Sequence, residues 1–200
     1  MRPGRRLLII EGGAKGNARL NMELRRAFSV LQYKAGLQGR KAKIIAAGGR
    51  QRAYDIFCEE LRKAGPGDRV VLLVDAEEVV STDSRWAHVK QRRGDGWDPP
   101  KGATEDHLQF MTVVMETWLL ADPEAVRAVL GSGFDPDKVP GELERIPKAE
   151  IYRLLDQGAK GGRGGYEKGR HSFRILERVD ARLLAERCPS AASLFEALHR

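Results

Sequence analysis

Cysteine is scarce in this chain. Its 200 residues hold two, Cys58 and Cys188, far apart and without metal-type spacing. Neither a disulfide framework nor a Cys/His zinc site is expected, and both thiols read as reduced. Histidine is equally sparse, with four residues that do not cluster. Long apolar runs are missing: no stretch approaches the ~18 residues a membrane helix needs. The N-terminus, MRPGRRLLIIEGG, carries an apolar run only from Leu7 to Ile10, and an acid follows at once. That is too short for a signal peptide. The glycine-rich EGGAKGNA lacks the Gly-Lys-Ser/Thr ending of a Walker A loop and is not GxGxxG, so ATP hydrolysis by this chain is not expected. These absences predict a cytoplasmic protein with no membrane partner.

Charge, in contrast, is plentiful. Charged residues make up 32% of the chain and the net charge is +7. Such a balance fits a polyanionic partner, because each neutralised phosphate releases counterions. It speaks to general attraction for nucleic acid rather than to fold.

The apolar pattern predicts an α/β fold. Arg6–Ile10 reads as a buried strand stopped by Glu11-Gly12-Gly13. Leu20, Leu24, Ala27, Phe28 and Leu31 recur at helical spacing between Asn17 and Ala35. A second strand, Lys43–Ala47, precedes a helix over Arg50–Ala64, and a third strand, Arg69–Val74, ends at Asp75. Strand, helix, strand, helix, strand predicts a parallel sheet with helical crossovers, Rossmann-like in plan. Residues 80–105 interrupt the pattern with a basic stretch containing Trp86 and Trp97, read as a long functional loop whose indoles could stack on bases or pack on the domain. A fourth strand is expected from Leu108 to about Met115, then a short helix from Glu116. Asp122 is expected to cap a helix with Pro123 in its first turn. A helix over Pro147–Leu155, a flexible glycine-rich loop over Gln157–Gly165, and helices over Ser172–Arg187 and Ser190–Arg200 complete a single domain. Its core spans about residues 5–125 and its helical C-terminal extension 126–200.

Ligands in open parallel sheets bind at the carboxyl ends of strands. Two of the three early strands end in acids, Glu11 and Asp75, with Glu77 two residues further on. If the first and third strands are neighbours, these carboxylates meet on one rim, where they repel and call for a cation. An oxygen-only donor set selects Mg²⁺ or Mn²⁺. Such an ion can polarise a phosphoryl oxygen and ready a water. Arg50, after Gly48-Gly49, and Lys15, after Gly12-Gly13, are candidate phosphate ligands on the same rim. Lys168, Arg170 and His171 follow the glycine-rich loop and are candidates for backbone contact or, for His171, proton relay. For each of these, a surface basic residue or a helix cap is the alternative.

A glutamate closing the first strand and an acid-x-acid pair closing a later one resemble the Toprim fold of topoisomerases, primases and OLD-type nucleases. The pieces EGG (11–13), AGGR (47–50), LLVDAE (72–77), METWLLAD (115–122) and KGRHSF (168–173) are similar to bacterial Toprim-like proteins associated with ABC-type ATPases and phage defence, RloB-like proteins among them. The resemblance implies a central, mostly parallel four-stranded sheet. It also implies a Mg²⁺-dependent nuclease in which Glu11, Asp75 and Glu77 hold the metal, with an ATPase partner encoded nearby. Glu77 departs from the usual Asp-x-Asp. The same comparison adds Glu116 as a site candidate, against its role as a helix cap. A non-catalytic adaptor on the same scaffold is the alternative function, and a phosphotransferase or phosphatase acting on a small substrate is a third. A homo-oligomer is compatible with either of the first two.

Overall fold

A computed structural model describes residues 4–160 and 165–200. Four strands form one parallel sheet in the order β2-β1-β3-β4: β1 (Arg6–Glu11), β2 (Lys43–Gly48), β3 (Arg69–Asp75) and β4 (Leu108–Met111). The first crossover is α1 (Ala18–Lys34) and the second α2 (Arg50–Arg62). Asn17 caps α1 by accepting from the Leu20 N–H at 2.9 Å.

Successive strand residues point to opposite faces, so each apolar run feeds two cores. Leu8 and Ile10 of β1 and Val71 and Leu73 of β3 pack with Leu24, Phe28 and Leu31 of α1. Leu7 and Ile9 of β1 and Val70, Leu72 and Val74 of β3 pack with Ala53 and Phe57 of α2. The two crossovers therefore lie on opposite faces. The strand order steps outward from β1 to β2 and then back across to β3. The carboxyl ends of β1 and β3 are thus the switch point, where the crossovers diverge and leave a crevice.

The stretch read as a loop over residues 80–105 is ordered around a helix, α3 (Arg85–Gln91). Trp86 and Trp97 are only 5% and 4% exposed. The Trp86 indole donates to the Thr104 carbonyl at 3.0 Å, and the Trp97 ring stacks on Tyr54 at 4.5 Å. Both are packing anchors, and neither offers a face on which a base could stack.

The strand expected to reach Met115 stops at Met111. The Thr117 hydroxyl, accepting from the Val113 N–H at 3.0 Å, turns the chain into α4 (Met115–Leu119) instead. Helix α5 (Pro123–Leu130) begins at Asp122, one oxygen of which accepts from the Ala125 N–H and the other from the Asp180 N–H. Helix α6 (Lys148–Ala159) runs further than expected, taking in Gln157–Ala159, where the sequence predicts loop. The rest of the glycine-rich segment, 161–164, lies outside the described residues. The single helix expected over Ser172–Arg187 is two, α7 (Arg170–Leu176) and α8 (Ala181–Arg187), separated at Asp180, which caps α8. The last helix is α9 (Pro189–His199). Side chains of α4 to α9 join the core on the α1 face of the sheet, so the C-terminal region covers that face.

Candidate active site

A cleft of about 300 Å³ opens at the switch point. Glu11, Asp75, Glu77 and Lys168 line it together with Gly12, Gly13 and Gly48 from the strand ends. Its apolar wall is Leu20 and Leu24 of α1, Met111, Met115 and Phe173. Two glycines keep it open. Gly13 has φ +82, and a Cβ there would stand 2.1 Å from the Asn21 Oδ1. Gly169 has φ +91, and a Cβ there would stand 2.9 Å from Leu20.

Strands β1 and β3 pair directly, which brings Glu11 and Asp75 together as the sequence reading required. The Asp75 N–H donates to a Glu11 carboxylate oxygen at 3.3 Å. Asp75 is 8% exposed, and its Oδ1 accepts from the Met115 N–H at 2.8 Å. Burial, reinforced by the negative charges of Glu11, Glu116 and Glu77, pushes its carboxyl up to about 8 despite the nearby Lys168. Burial also raises Glu11, against the opposing pull of Arg50. Glu77, two residues past the end of β3, stands at φ +71, the left-handed region that non-glycine residues seldom occupy. Its N–H donates to the Val113 carbonyl at 2.7 Å. Burial would raise its carboxyl, but Lys148, Arg92 and Arg50 outweigh burial and hold it below its ordinary value.

Among the described residues no three His, Cys, Asp or Glu side chains stand close enough to share one metal ion. Two of the three acids, Glu11 and Glu77, have a cation of their own, and Asp75 does not. The Arg50 Nη1 donates to Glu11 at 2.9 Å and to the Asp75 carbonyl at 2.5 Å. Arg50 is itself clamped by two bonds from its guanidinium to Asp95, both 2.7 Å. Its ring-side neighbour is Trp97, whose centroid lies 5.1 Å away. Arg50 therefore holds Glu11 and the end of β3 in place, with four of its five N–H donors committed within the protein. Lys148 pairs with Glu77. These built-in cations offset the charges of Glu11 and Glu77, while Asp75 still feels its acidic neighbours.

Glu116 lies behind the cleft, fully buried. Its carboxylate accepts from the hydroxyls of Tyr152 at 3.1 Å, Tyr166 at 3.4 Å and Ser172 at 3.2 Å. Lys168 lies 3.8 Å from it and donates to the Tyr152 oxygen at 2.9 Å. Burial and the Glu116 charge push Tyr152 up to about 12 and Tyr166 higher still. Burial acts to lower Lys168, but Glu116 and Tyr152 prevail and keep it above its ordinary value. Glu116 is thus a clasp that fixes the segment bearing Lys168.

Lys15, Arg170 and His171 do not line the cleft. Lys15 is exposed on the loop after Gly13, and Arg170 pairs with Glu167. The His171 Nδ1 accepts from the Glu167 N–H at 2.9 Å. Burial, with Arg170 and Arg174 nearby, lowers its pKa. Asp95, Lys148, Tyr152, Tyr166 and Ser172 went unremarked in the sequence. Lys148 alone carried a signal, being a cation at the start of a helix, where the dipole disfavours it.

A family model described as a domain of unknown function, DUF4276, matches residues 16–199. The chain belongs to the DUF4276 family. The match takes in Asp75, Glu77, Glu116, Lys148 and Lys168, and begins after Glu11. No curated protein and no solved structure matches the chain. For a DUF4276 member, then, the cleft geometry itself is the ground for a functional reading.

Proposed function

We propose that this DUF4276 protein is a Toprim-like, Mg²⁺-dependent nuclease that hydrolyses phosphodiester bonds of DNA or RNA in the cytoplasm. One observation carries the reading. Two acids from the ends of neighbouring parallel strands, with a third two residues on, line the same switch-point cleft as a lysine. The donor chemistry fits a hard cation: the three acids offer oxygen alone, with no thiol or imidazole lining the cleft. Glu11, Asp75 and Glu77 would hold the ion, once Lys148 releases Glu77 and the carboxylates draw closer. When bound, Mg²⁺ supplies a Lewis acid for the phosphoryl oxygen and an activated water.

The chain's own residues do the rest. Lys168 presents its ammonium to a phosphate at the cleft. Glu116 and Tyr152 position it and hold its charge. Leu20, Leu24 and Phe173 exclude water from one side. The net charge of +7 draws a polyanion to the surface. A partner ATPase and a part in phage defence are what the Toprim-like resemblance adds.

The purified chain, alone and with its ATPase, should cleave single- or double-stranded DNA or RNA when Mg²⁺ is supplied. Glu11→Gln and Asp75→Asn should each abolish that cleavage while leaving the circular dichroism spectrum unchanged. Undiminished cleavage by either variant would reject the assignment.

A second reading is a non-catalytic adaptor that docks on an ATPase. It is favoured by the internal pairing of Glu11 with Arg50 and of Glu77 with Lys148, which balances the cleft without an ion. An adaptor would bind the ATPase yet leave every nucleic acid intact.

A further inference from the structure

Three cations neutralise the acids around the cleft, and they differ in how firmly each is held. The Arg50 side chain is 13% exposed and clamped by Asp95, itself 2% exposed. Lys168 is shared between Glu116 and Tyr152. Lys148 has neither kind of support. Its side chain is 41% exposed, and among the described residues its one polar side-chain contact is Glu77.

Its position opposes the electrostatics of its own helix. Lys148 is the first residue of α6, where the unpaired N–H groups of the opening turn make the end positive. Pro147, preceding it, supplies no side-chain cap. The acid of that turn, Glu150, is bound to Arg153 through two bonds and does not offset Lys148. Glu77 is therefore the group that keeps Lys148 where it stands. Glu77, in turn, is pinned by its left-handed backbone and its bond to Val113. One partner of the pair is fixed at its backbone, and the other is a flexible arm at the solvent boundary. Half-exposed pairs of this kind are weak and exchange readily with competing ions.

We infer that Lys148 is a displaceable cation over Glu77. It neutralises that carboxylate until a divalent ion enters the cleft. It then swings into water at the cleft mouth, where its charge meets an incoming phosphate. The inference rests on the metal reading of the cleft given above. Arg50 cannot play this part, because moving it would strand Glu11 and leave the buried Asp95 with Arg92 alone.

The test uses the whole chain and Mn²⁺ alone. Lysine reactivity is read by mass spectrometry after brief treatment with an amine-modifying reagent. Modification of Lys148 should rise several-fold when Mn²⁺ is added, while that of the distant Lys138 stays constant. Glu77→Gln should raise it without any metal. By calorimetry, Lys148→Met should bind Mn²⁺ about tenfold tighter than the wild type, since an internal competitor is gone. Binding seen only in Lys148→Met would show that the ion cannot displace Lys148 and would overturn the inference. Normal Mn²⁺ binding with Lys148 reactivity unchanged, or no tighter binding by Lys148→Met, would overturn it and leave the metal reading standing. Failure of both proteins to bind Mn²⁺ would remove the metal reading and this inference together.

Discussion

Asp75 and Glu116 are both buried acids beside the same cleft, and their surroundings differ. Glu116 is enclosed by three hydroxyls and an ammonium, drawn from α6, α7 and the residues just before α7. Asp75 receives one backbone N–H from α4, faces Glu11 and Glu77, and borders open space. Burial alone does not make an acid available for chemistry. An acid whose lone pairs are all committed is a structural clasp. An acid that is under-satisfied, raised in pKa and open to a cavity is the one that can take a ligand.

Removing the clasp should have the largest effect. Glu116→Ala leaves three hydroxyls, that of Ser172 buried, and Lys168 without their acceptor, at a cost of about 2–4 kcal/mol. For a chain of this size that lowers the melting temperature by roughly 2–4 °C per kcal/mol, readable by calorimetry. A loss under about 0.5 kcal/mol, the range of ordinary surface changes, would mean that Glu116 is not a clasp.

Asp75→Asn should act in the opposite direction. The folded protein holds a proton on Asp75 up to about pH 8, whereas the unfolded chain releases it near the ordinary carboxylate value of 3.8. The unfolded state therefore binds fewer protons throughout that window, and the Asp75 contribution to stability declines as pH rises through it. Asparagine removes the decline and keeps an oxygen for the Met115 N–H. The variant should melt about 2–4 °C above the wild type at pH 8, with the gap closing by pH 4. An equal gap at both pH values would assign the gain to something other than titration.

Tyr166→Phe sharpens the comparison at smaller scale. It deletes one of the three hydroxyls on Glu116 and the 2.6 Å contact between Tyr166 and Ser172. The expected loss is about 1 kcal/mol in urea unfolding, because Tyr152 and Ser172 still satisfy the carboxylate. A loss as large as that of Glu116→Ala would show that the clasp acts all or none. Lys148→Met, at an exposed pair, should change stability by less than about 1 kcal/mol.

Much of the sheet was legible before the structure. The runs Leu7–Ile10, Ile44–Ala47 and Val70–Val74 are apolar, short and closed by glycine or acid, so local sequence decides them. Glu11 and Asp75 were legible for the same reason, being strand-end residues. Their partners were not. Asp95 sits between two glycines near Trp97, and nothing in that order says it will reach Arg50, 45 residues earlier. Tyr152, Tyr166 and Ser172 look like ordinary helix and loop residues until α6 and α7 pack on α4. In residues 80–105 charge and proline mask the helix α3, while burial of the two indoles is one of the two readings the sequence leaves open. The early end of β4 is hidden because Met111–Met115 is apolar but for Thr112, and the turn is made by the hydroxyl of Thr117 further on.

The central claim is that Glu11 and Asp75 jointly hold a divalent ion. Mn²⁺ loses its sharp solution resonance on binding, so electron paramagnetic resonance counts the bound ion directly. The account predicts saturable binding by the wild type, lost in both Glu11→Gln and Asp75→Asn at temperatures where each is folded. Binding that survives either substitution, or a wild type that leaves the free-ion signal untouched, would contradict it.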